Sequence, residues 1–449
     1  MDTKKYDIII RNGNIVTHES IFKADIGIKN QKIEEINEKI PEYRRGNKEI
    51  DATGLYIFPG LIDSHVHFNE PGRTEWEGIY TGSRSLAAGG VTVFFDMPLN
   101  SDPPVTTVEE FINKKKCADK KSIIDYYLWG GLVPDNIEHL EELAKAGVIG
   151  FKGFMSDSGI KEFPCLSDSE LLEGMAKIAQ IGSILSLHAE NESICRRLAQ
   201  SCNRLGKVTI RDYVNSRPVI SEVESVVKAA AFAEVTNCKV HILHVSNGET
   251  IKYVSDAKKR GVDISVETCP HYLALNIDDF ERIGSFAKCA PPLREQEHVD
   301  SLWEALKNGE IDTIGSDHSP APVYMKTLTE NQSIFDVWGG ISGAQSTLSV
   351  LLEEGYFKRG IPLERIARIT SFNPAKRFGL YPRKGVIAIG SDADLVLVDL
   401  RKSFTLKEGD LLYKHKHSPY VGKKFRGVVF QTILRGKVVW DSGTLALPM

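Results

Sequence analysis

The pattern of apolar and polar positions changes its period twice along the chain. Residues 8–35 carry short apolar segments separated by turns such as Asn12-Gly13, which is typical of β-strands joined by hairpins. From Tyr56 onwards, short apolar strand patterns alternate with longer helical patterns. After about Arg377 the short-strand pattern returns, for instance in Asp394-Leu-Val-Leu-Val-Asp399. The pattern therefore predicts two β-rich ends around a central strand–helix repeat.

The central repeat contains eight candidate strands. They are predicted over residues 56–66, 91–97, 126–133, 148–155, 184–189, 240–245, 264–268 and 313–316. Eight strand–helix units in succession predict an α/β fold of the (β/α)8 TIM-barrel type. A doubly wound sheet is the competing architecture, but it does not need eight units, and no GxGxxG motif follows the first strand.

The two β-rich ends are each too short to bury a stable core alone. We therefore expect residues 1–55 and 377–449 to form one small composite β-sandwich domain. The barrel, residues 56–376, would then be inserted between the two halves of that domain.

Composition and charge exclude several classes of protein. Hydrophobic residues make up 42% of the chain and charged residues 26%, which is ordinary for a globular protein with a large core. A net charge of -4 without a long basic stripe argues against nucleic acid as a partner. No apolar run approaches the roughly 20 residues that cross a bilayer, and the charged amino terminus lacks a signal-peptide core. The seven dispersed cysteines form no CxxC pair, so we expect reduced thiols and a cytoplasmic location.

Two histidines stand one residue apart just after the apolar run at residues 56–62. In a strand, side chains two positions apart lie on the same face, so His65 and His67 point to one place. Neutral imidazoles at this spacing suit a divalent metal such as zinc. The motif alone is equally typical of a surface pair at a strand end, so the metal hypothesis requires further ligands.

Other ligand-type side chains stand at the ends of other predicted strands. His188, His244 and Asp317 each occupy such a position. Because the active sites of barrels lie at the carboxyl ends of the strands, we predict that these residues join the histidine pair in one site. His241 has the opposite parity to His244 in its strand, so only one of them is expected to face the barrel interior, and we choose His244.

Lys152 lies within an apolar strand pattern, where an unpaired ammonium is costly. Burial near metal ions lowers a lysine pKa and leaves a neutral amine. Such an amine reacts with carbon dioxide to give a carbamate (N6-carboxylysine), an anion suited to bridging two metals. The alternative is a lysine that reaches the barrel rim or makes an ion pair. The predicted ligands divide between two metals bridged by Lys152: His65, His67 and Asp317 on one, His188 and His244 on the other.

The chemistry that such a site implies is hydrolysis of a carbonyl or phosphoryl bond. A water bridging two metals would have its pKa lowered towards neutrality and become a hydroxide nucleophile. Asp317 would take the proton of that water and pass it to the leaving nitrogen. The ligand types do not decide the two divalent metals: zinc is favoured, and cobalt, manganese or iron would also fit.

At these residues the chain resembles the cyclic amidase branch of the amidohydrolase superfamily, which comprises dihydroorotases, dihydropyrimidinases (hydantoinases) and allantoinases. The resemblance implies a lysine carbamate bridging two metals, at Lys152, and a catalytic aspartate, at Asp317. Oligomers are common in this family, and we expect a homotetramer. The motifs that carry the resemblance are Pro59-Gly-Leu-Ile-Asp-Ser-His-Val-His67, Ala88-Gly-Gly-Val-Thr92, Gly150-Phe-Lys152, His188-Ala-Glu-Asn191, His244-Val-Ser246, Cys269-Pro-His-Tyr272, Pro291-Pro-Leu-Arg294 and Gly315-Ser-Asp-His318.

Residue 69 helps to choose among the branches. Dihydroorotases typically carry HxHxR, whose arginine pairs with the substrate carboxylate, whereas this chain has Asn69 and lacks that clamp. Hydantoinases usually have CPQY where this chain has Cys269-Pro-His-Tyr272. The runs at 65–77, 96–101 and 417–422 resemble the allantoinases. The resemblance thus implies hydrolysis of allantoin, a small neutral molecule, to allantoate. Hydantoinase or dihydropyrimidinase activity is the alternative, and dihydroorotase activity fits less well.

A neutral ureido-substituted ring suits amide-type donors and acceptors better than a cationic clamp. An asparagine before Glu-Pro-Gly is equally a turn former, so Asn69 has two interpretations. A different alternative is an assembly protein of the dihydropyrimidinase-like kind, which keeps the fold after losing ligands. The retention of all six ligand positions argues against it. The predicted substrate contacts are Asn69, Asn100, His318 and the backbone at Cys289 and Gly340.

Overall fold

The computed structural model describes residues 5–442 of the chain. The amino-terminal strands are β1 (Tyr6–Val16), β2 (Ile21–Lys29), β3 (Lys32–Asn37), β4 (Gly46–Asp51) and β5 (Tyr56–Pro59). The central strands are β6 (Leu61–Val66), β7 (Val91–Asp96), β8 (Asp125–Leu128), β9 (Gly130–Gly131), β10 (Phe151–Phe154), β11 (Ile184–His188), β12 (Lys239–Ile242), β13 (Ile264–Thr268) and β14 (Thr313–Ile314). The carboxyl-terminal strands are β15 (Leu395–Thr405), β16 (Lys424–Leu434) and β17 (Lys437–Asp441).

Helices fill the intervals between the central strands and complete the barrel after β14. None of the helices within residues 5–442 is long and apolar enough to cross a membrane. The α-helices are α1 (Ile79–Ala88), α2 (Val108–Lys121), α3 (Leu140–Ala146), α4 (Asp168–Gln180), α5 (Glu192–Arg204), α6 (Ile210–Ser216), α7 (Val219–Thr236), α8 (Gly248–Lys259), α9 (Pro270–Ala274), α10 (Ile277–Ile283), α11 (Gln296–Asn308), α12 (Val323–Lys326), α13 (Thr347–Val350), α14 (Leu363–Ala367) and α15 (Asn373–Arg377).

The central strands form a parallel barrel. Strands β6, β7 and β8 pair in order, as do β9 to β14. Only Trp129 separates β8 from β9, and together they make the third of the predicted strands. The ring closes where the His67 N–H donates to the carbonyl of His318 at 2.8 Å, next to a parallel bridge between Val66 and His318. The (β/α)8 prediction is confirmed, and the carboxyl ends of the strands meet at one rim.

The first predicted strand, 56–66, is wrong as a single element. Its first part, β5, pairs with β1 and β15 in the terminal sheet, and its second part, β6, pairs with β7 in the barrel. Gly60 lies between the end of β5 and the start of β6, where the chain passes from one sheet to the other. A Cβ there would lie 2.2 Å from Thr92 Oγ1, so only glycine permits this close approach. An apolar run buried in two adjoining sheets looks continuous in sequence, which explains the error.

The two ends of the chain join in one sheet, as predicted. Its order is β17-β16-β15-β5-β1-β2-β3, with β4 paired to β1. The N–H of Ile33, in β3, donates to the carbonyl of Ser391 at 3.0 Å, so the sheet curves back on itself. Buried residues from both ends, such as Ile26 and Leu395, share one core. The division into 1–55 plus 377–449 and 56–376 stays a prediction, and residues 1–4 and 443–449 lie outside the described residues.

Candidate metal centre

All six predicted ligands line one cavity at the carboxyl rim of the barrel. The cavity has a volume of about 740 Å³. Strands β6, β10 and β11 carry three of the ligands, and the other three follow β6, β12 and β14. The predicted ligands among its lining residues are His65, His67, Lys152, His188, His244 and Asp317.

In the first half of the site, a carboxylate faces two imidazoles. Asp317 Oδ1 lies 3.2 Å from His65 Nε2 and 3.4 Å from His67 Nε2. Burial lowers the pKa of His67 to about 4, so its ring is neutral at pH 7. Burial by itself would raise the pKa of Asp317, but the neighbouring imidazoles His65, His67 and His244 hold it well below its usual range. A carboxylate with neutral imidazoles is a donor set for a divalent cation.

In the second half, two imidazoles face each other. His188 Nδ1 lies 3.1 Å from His244 Nε2. Burial lowers the pKa of both rings, so neither is charged at neutral pH. Side-chain atoms of His65, His244 and Asp317 lie within 4.8 Å of one another. His244 therefore lies close to the first half of the site.

Lys152 is fully buried between the two halves. Its Nζ has no hydrogen-bond partner among residues 5–442 and lies 4.5 Å from the centre of the Phe154 ring. Burial lowers the pKa of Lys152 to about 7, although Asp317 and Glu267 act in the opposite direction. An amine that is buried, partly neutral and without a partner is suited to conversion into an anionic metal bridge. The residues present therefore fit two divalent ions and a carbamate.

The backbone is strained at two of the ligands. His244 and Asp317 have φ angles of 39° and 43°, in the left-handed region that residues with a side chain rarely adopt. Strand β12 ends at Ile242, so His244 no longer follows strand alternation. His241 is fully buried inside the barrel, with its Nδ1 2.7 Å from Ser265 Oγ. The expectation that only one of these histidines faces the interior is therefore wrong, because parity holds only within a strand.

Two buried carboxylates support the histidines and were missed from sequence. Glu267 Oε1 lies 2.9 Å from His65 Nδ1, and Glu190 Oε2 lies 2.8 Å from His188 Nε2. A carboxylate only accepts, so each ring carries its proton on that nitrogen and leaves the other free for a metal. Glu267 stands in a predicted strand otherwise made of apolar and small residues, and that anomaly was the available signal. Gly315 makes room for it, since a Cβ there would lie 2.3 Å from Glu267 Oε2.

The second support has a further partner. The guanidinium of Arg217 donates to Glu190 Oε2, the same oxygen that His188 uses. Burial alone would raise the pKa of Glu190, but Arg217 and His188 lower it to about 2. Arg217 itself lines the cavity, and its side chain is 18% exposed. No motif in the sequence pointed to it.

The predicted substrate contacts fall into two groups. Asn100, Cys289 and Gly340 line the cavity. Asn69 and His318 are fully buried and do not belong to the cavity wall formed by the described residues. Asn69 Nδ2 donates to the carbonyl of Pro320 at 3.4 Å, and the φ of Asn69, 62°, fits the turn interpretation.

His318 turns its Nδ1 away from the cavity, towards the N–H of Gly343 at 3.2 Å. The N–H of Gly340 donates to the carbonyl of Lys288 at 2.8 Å, and its own carbonyl accepts from Lys326 Nζ at 2.6 Å. Both backbone groups of Gly340 thus already have partners within the protein. The substrate contacts proposed at all five residues stay predictions.

The closed barrel gathers at its rim several histidines, an aspartate and a lysine whose Nζ has no hydrogen-bond partner in the described part of the chain. This combination places the chain among the metal-dependent hydrolases. A family model described as "Amidohydrolase family" matches residues 56–439. The chain belongs to the amidohydrolase family.

Curated relatives cover almost the whole chain. "Allantoinase" of Deinococcus radiodurans is 48% identical over 438 residues, covering 97% of this chain and 96% of the relative. "Allantoinase" of Solibacter usitatus is 48% identical over 435 residues, covering 97% and 94%. "Allantoinase" of Rubrobacter xylanophilus is 47% identical over 439 residues, covering 98% and 95%.

Solved structures agree with the observed fold. The L-hydantoinase (dihydropyrimidinase) from Arthrobacter aurescens superposes with a TM-score of 0.94 at 36% identity, covering 98% of both chains. A D-hydantoinase superposes with a TM-score of 0.90 at 34% identity, covering 97% of this chain and 96% of the other. The resemblance to the cyclic amidase branch is thereby confirmed.

Proposed function

We propose that this protein hydrolyses a ring amide of allantoin and releases allantoate. The observation that carries the proposal is the near full-length similarity to relatives named allantoinase. The cavity supports it, because all six predicted ligand positions line that one cavity. Retention of these positions disfavours the non-enzymatic assembly role.

In this proposal His65, His67 and Asp317 would hold one divalent ion, and His188 and His244 would hold a second, most simply zinc in both cases. Lys152, as its carbamate, would supply the anionic ligand shared by the two. When bound, such ions supply Lewis-acid chemistry and lower the pKa of water towards neutrality. The two imidazoles with carboxylate partners, His65 and His188, are fixed in the tautomer that leaves the cavity-facing nitrogen unprotonated.

Asp317 is the proposed proton carrier. It is a carboxylate beside His65 and His67, at the place where the attacking water would lie, and a carboxylate can accept a proton. The water oxygen forms a bond to the ring carbonyl carbon, and the carbon–nitrogen bond of the ring breaks. Asp317 then passes the proton to the ring nitrogen that leaves, and the new carboxyl group ionises. No side chain of the protein changes its net charge over the cycle.

A second candidate function is hydrolysis of hydantoins or dihydropyrimidines. The solved structures with TM-scores of 0.94 and 0.90 are hydantoinases, so their overall shape favours this reaction as much as the first. The two functions differ in substrate rather than in chemistry. Comparing kcat/KM on the candidate substrates therefore distinguishes the two functions.

The deciding experiment combines metal content with a four-substrate assay. The protein is purified without chelators, its bound metals are measured, and turnover is followed on allantoin, hydantoin, dihydrouracil and dihydroorotate. We expect two ions per chain and the highest kcat/KM on allantoin. A higher kcat/KM on dihydrouracil or hydantoin would establish the second candidate. If the protein had neither bound metal nor turnover, the result would favour the non-enzymatic assembly role.

We further propose a cytoplasmic homotetramer. The tetramer is supported by the family resemblance, and the location is supported by the seven cysteines, all free thiols in the structure. Light scattering on the eluate of a sizing column tests the assembly. A monomer at micromolar concentration would contradict it.

A further inference from the structure

One wall of the cavity is a short segment of backbone that lies over two buried lysines. Residues 335–340 all line the cavity. Lys326, at the end of α12, is fully buried, and Lys288 is 5% exposed. The metal-centre chemistry described above uses neither lysine. Burying an ammonium is costly, so its contacts must compensate.

Lys326 is bonded to main-chain carbonyl groups. Its Nζ donates to the carbonyl of Gly340 at 2.6 Å and to that of Trp338 at 3.1 Å. A third, longer bond of 3.5 Å reaches the carbonyl of Lys288. An ammonium has three donors, and here each has an acceptor. Two of the three acceptors belong to segment 335–340, and the third, Lys288, also lines the cavity.

Lys288 holds the other end of the same segment. Its Nζ donates to the carbonyl of Val337 at 2.6 Å and to that of Phe335 at 3.1 Å. It also lies 4.9 Å above the ring of Tyr213, a favourable position for a cation. The carbonyl of Lys288 in turn accepts from the N–H of Gly340 at 2.8 Å. The two lysines together bind four of the six carbonyl groups in 335–340.

Main-chain acceptors give these lysines a role that an ion pair would not. A carboxylate partner would satisfy the charge at one point, whereas carbonyl groups spread over six residues fix the path of the chain. The segment has little regular structure of its own to do so. Gly340 adds to this constraint, because its φ of 152° suits glycine and a Cβ would lie 2.4 Å from the Ser319 carbonyl oxygen.

We infer that Lys288 and Lys326 are positioning residues that hold segment 335–340 as the substrate-facing wall of the cavity. The inference rests on the proposed function in that it takes this cavity as the place where a cyclic amide binds. Each bond from a lysine Nζ to a main-chain carbonyl helps to fix the path of the segment. Losing one lysine therefore releases part of the wall, while the six metal-ligand positions keep their supports.

The test is Lys326→Met and Lys288→Met in the metal-loaded protein. For the cyclic amide that the wild type hydrolyses fastest, we expect KM to rise by about tenfold or more with kcat changed by less than about threefold, as lost wall contacts would produce. Metal content is expected to equal that of the wild type. Hydrogen exchange of the amides of 335–340 is expected to accelerate at least about tenfold.

Lys307→Met is the matched control, since Lys307 is an exposed lysine of α11. It is expected to change neither KM nor exchange. Should Lys326→Met fail to fold, Lys326→Gln replaces it. Because glutamine keeps two N–H donors, we expect its KM and its exchange rate to rise above the wild-type values by less than tenfold.

Two outcomes would overturn the inference. One is unchanged exchange of 335–340 in the variants, and the other is loss of metal or of kcat without a change in KM. A wild type that hydrolyses none of the four cyclic amides would refute the proposed function instead. In that case the exchange measurement still decides whether the lysines hold the wall.

Discussion

The two halves of the candidate metal centre are supported from different places. His65 is hydrogen-bonded to Glu267, a carboxylate that lies inside the barrel and has no exposed surface. His188 is hydrogen-bonded to Glu190, whose partner Arg217 lines the cavity and is partly exposed. One half is therefore anchored in the protein core, and the other is coupled to the cavity wall. This difference predicts unequal responses to substitution.

The largest effect is expected where the halves meet. Lys152→Ala removes the proposed bridge, so both ions and all detectable turnover should be lost together, as metal analysis beside the substrate assay will show. Adding bicarbonate or a short carboxylic acid should restore part of the activity by supplying a substitute anion. A variant with full activity would show that Lys152 is not a ligand.

Substituting the supporting carboxylates one at a time should affect the two halves differently. Glu267→Ala and Glu190→Ala are each expected to weaken the binding of one ion by about 10–100-fold in chelator competition. Glu267→Ala should also lower the free energy of unfolding by about 3 kcal/mol or more, because it leaves buried groups of His65 and Ser64 without an acceptor. Arg217 lines the cavity and is partly exposed, so its charge is less completely desolvated and the loss for Glu190→Ala should be smaller. Equal losses would remove the distinction between the halves.

A smaller effect is expected one contact further out. Arg217→Met leaves Glu190 in place but removes its cationic partner, and should weaken one ion about tenfold without unfolding the protein. Arg211→Met is the control, because Arg211 pairs with Asp278 and Glu281 on the surface. An equal effect of the two variants on metal affinity would contradict the coupling of the second half to the wall.

The smallest effect concerns pH in the metal-free protein. Burial alone would raise the pKa of Glu267, but His65 and His241 lower it to about 2 from an ordinary 4.5. A lowered carboxyl pKa contributes stability that is present above pH 4.5 and is lost as the pH falls towards 2. The stability difference between the wild type and Glu267→Gln should therefore shrink from pH 5 to pH 3 in urea unfolding. A constant difference would show that the charge of Glu267 contributes nothing.

Local patterns in the sequence were sufficient to predict the barrel and to bring the candidate ligands at its strand ends into one cavity. The alternation of strand and helix patterns sets the fold class, and the two-residue period places His65 and His67 on one face. The same logic found His188, which ends β11. It succeeded because burial in a parallel barrel imposes short apolar strands at regular intervals.

The same logic failed where the chain leaves regular structure or enters two sheets. His241 was assigned by alternation, yet β12 ends before His244 and the rule no longer holds there. The run 56–66 was read as one strand because both of its sheets bury it. The substrate contacts at Asn69 and His318 stay predictions, and their side chains contact backbone groups of Pro320 and Gly343.

By itself, the sequence determined the barrel and the composite terminal sheet, and it predicted six candidate ligands, since each of these follows from periodicity or from a position in or just after a strand. The tertiary structure alone decided what holds them. Glu267 and His65 are 202 positions apart, and Arg217 and Glu190 belong to different segments. Lys288 and Lys326 bind four main-chain carbonyl groups, and the side-chain types along 335–340 give no sign of these bonds. Such contacts depend on where the chain passes in space, because a hydrogen bond between distant segments leaves no period in the sequence.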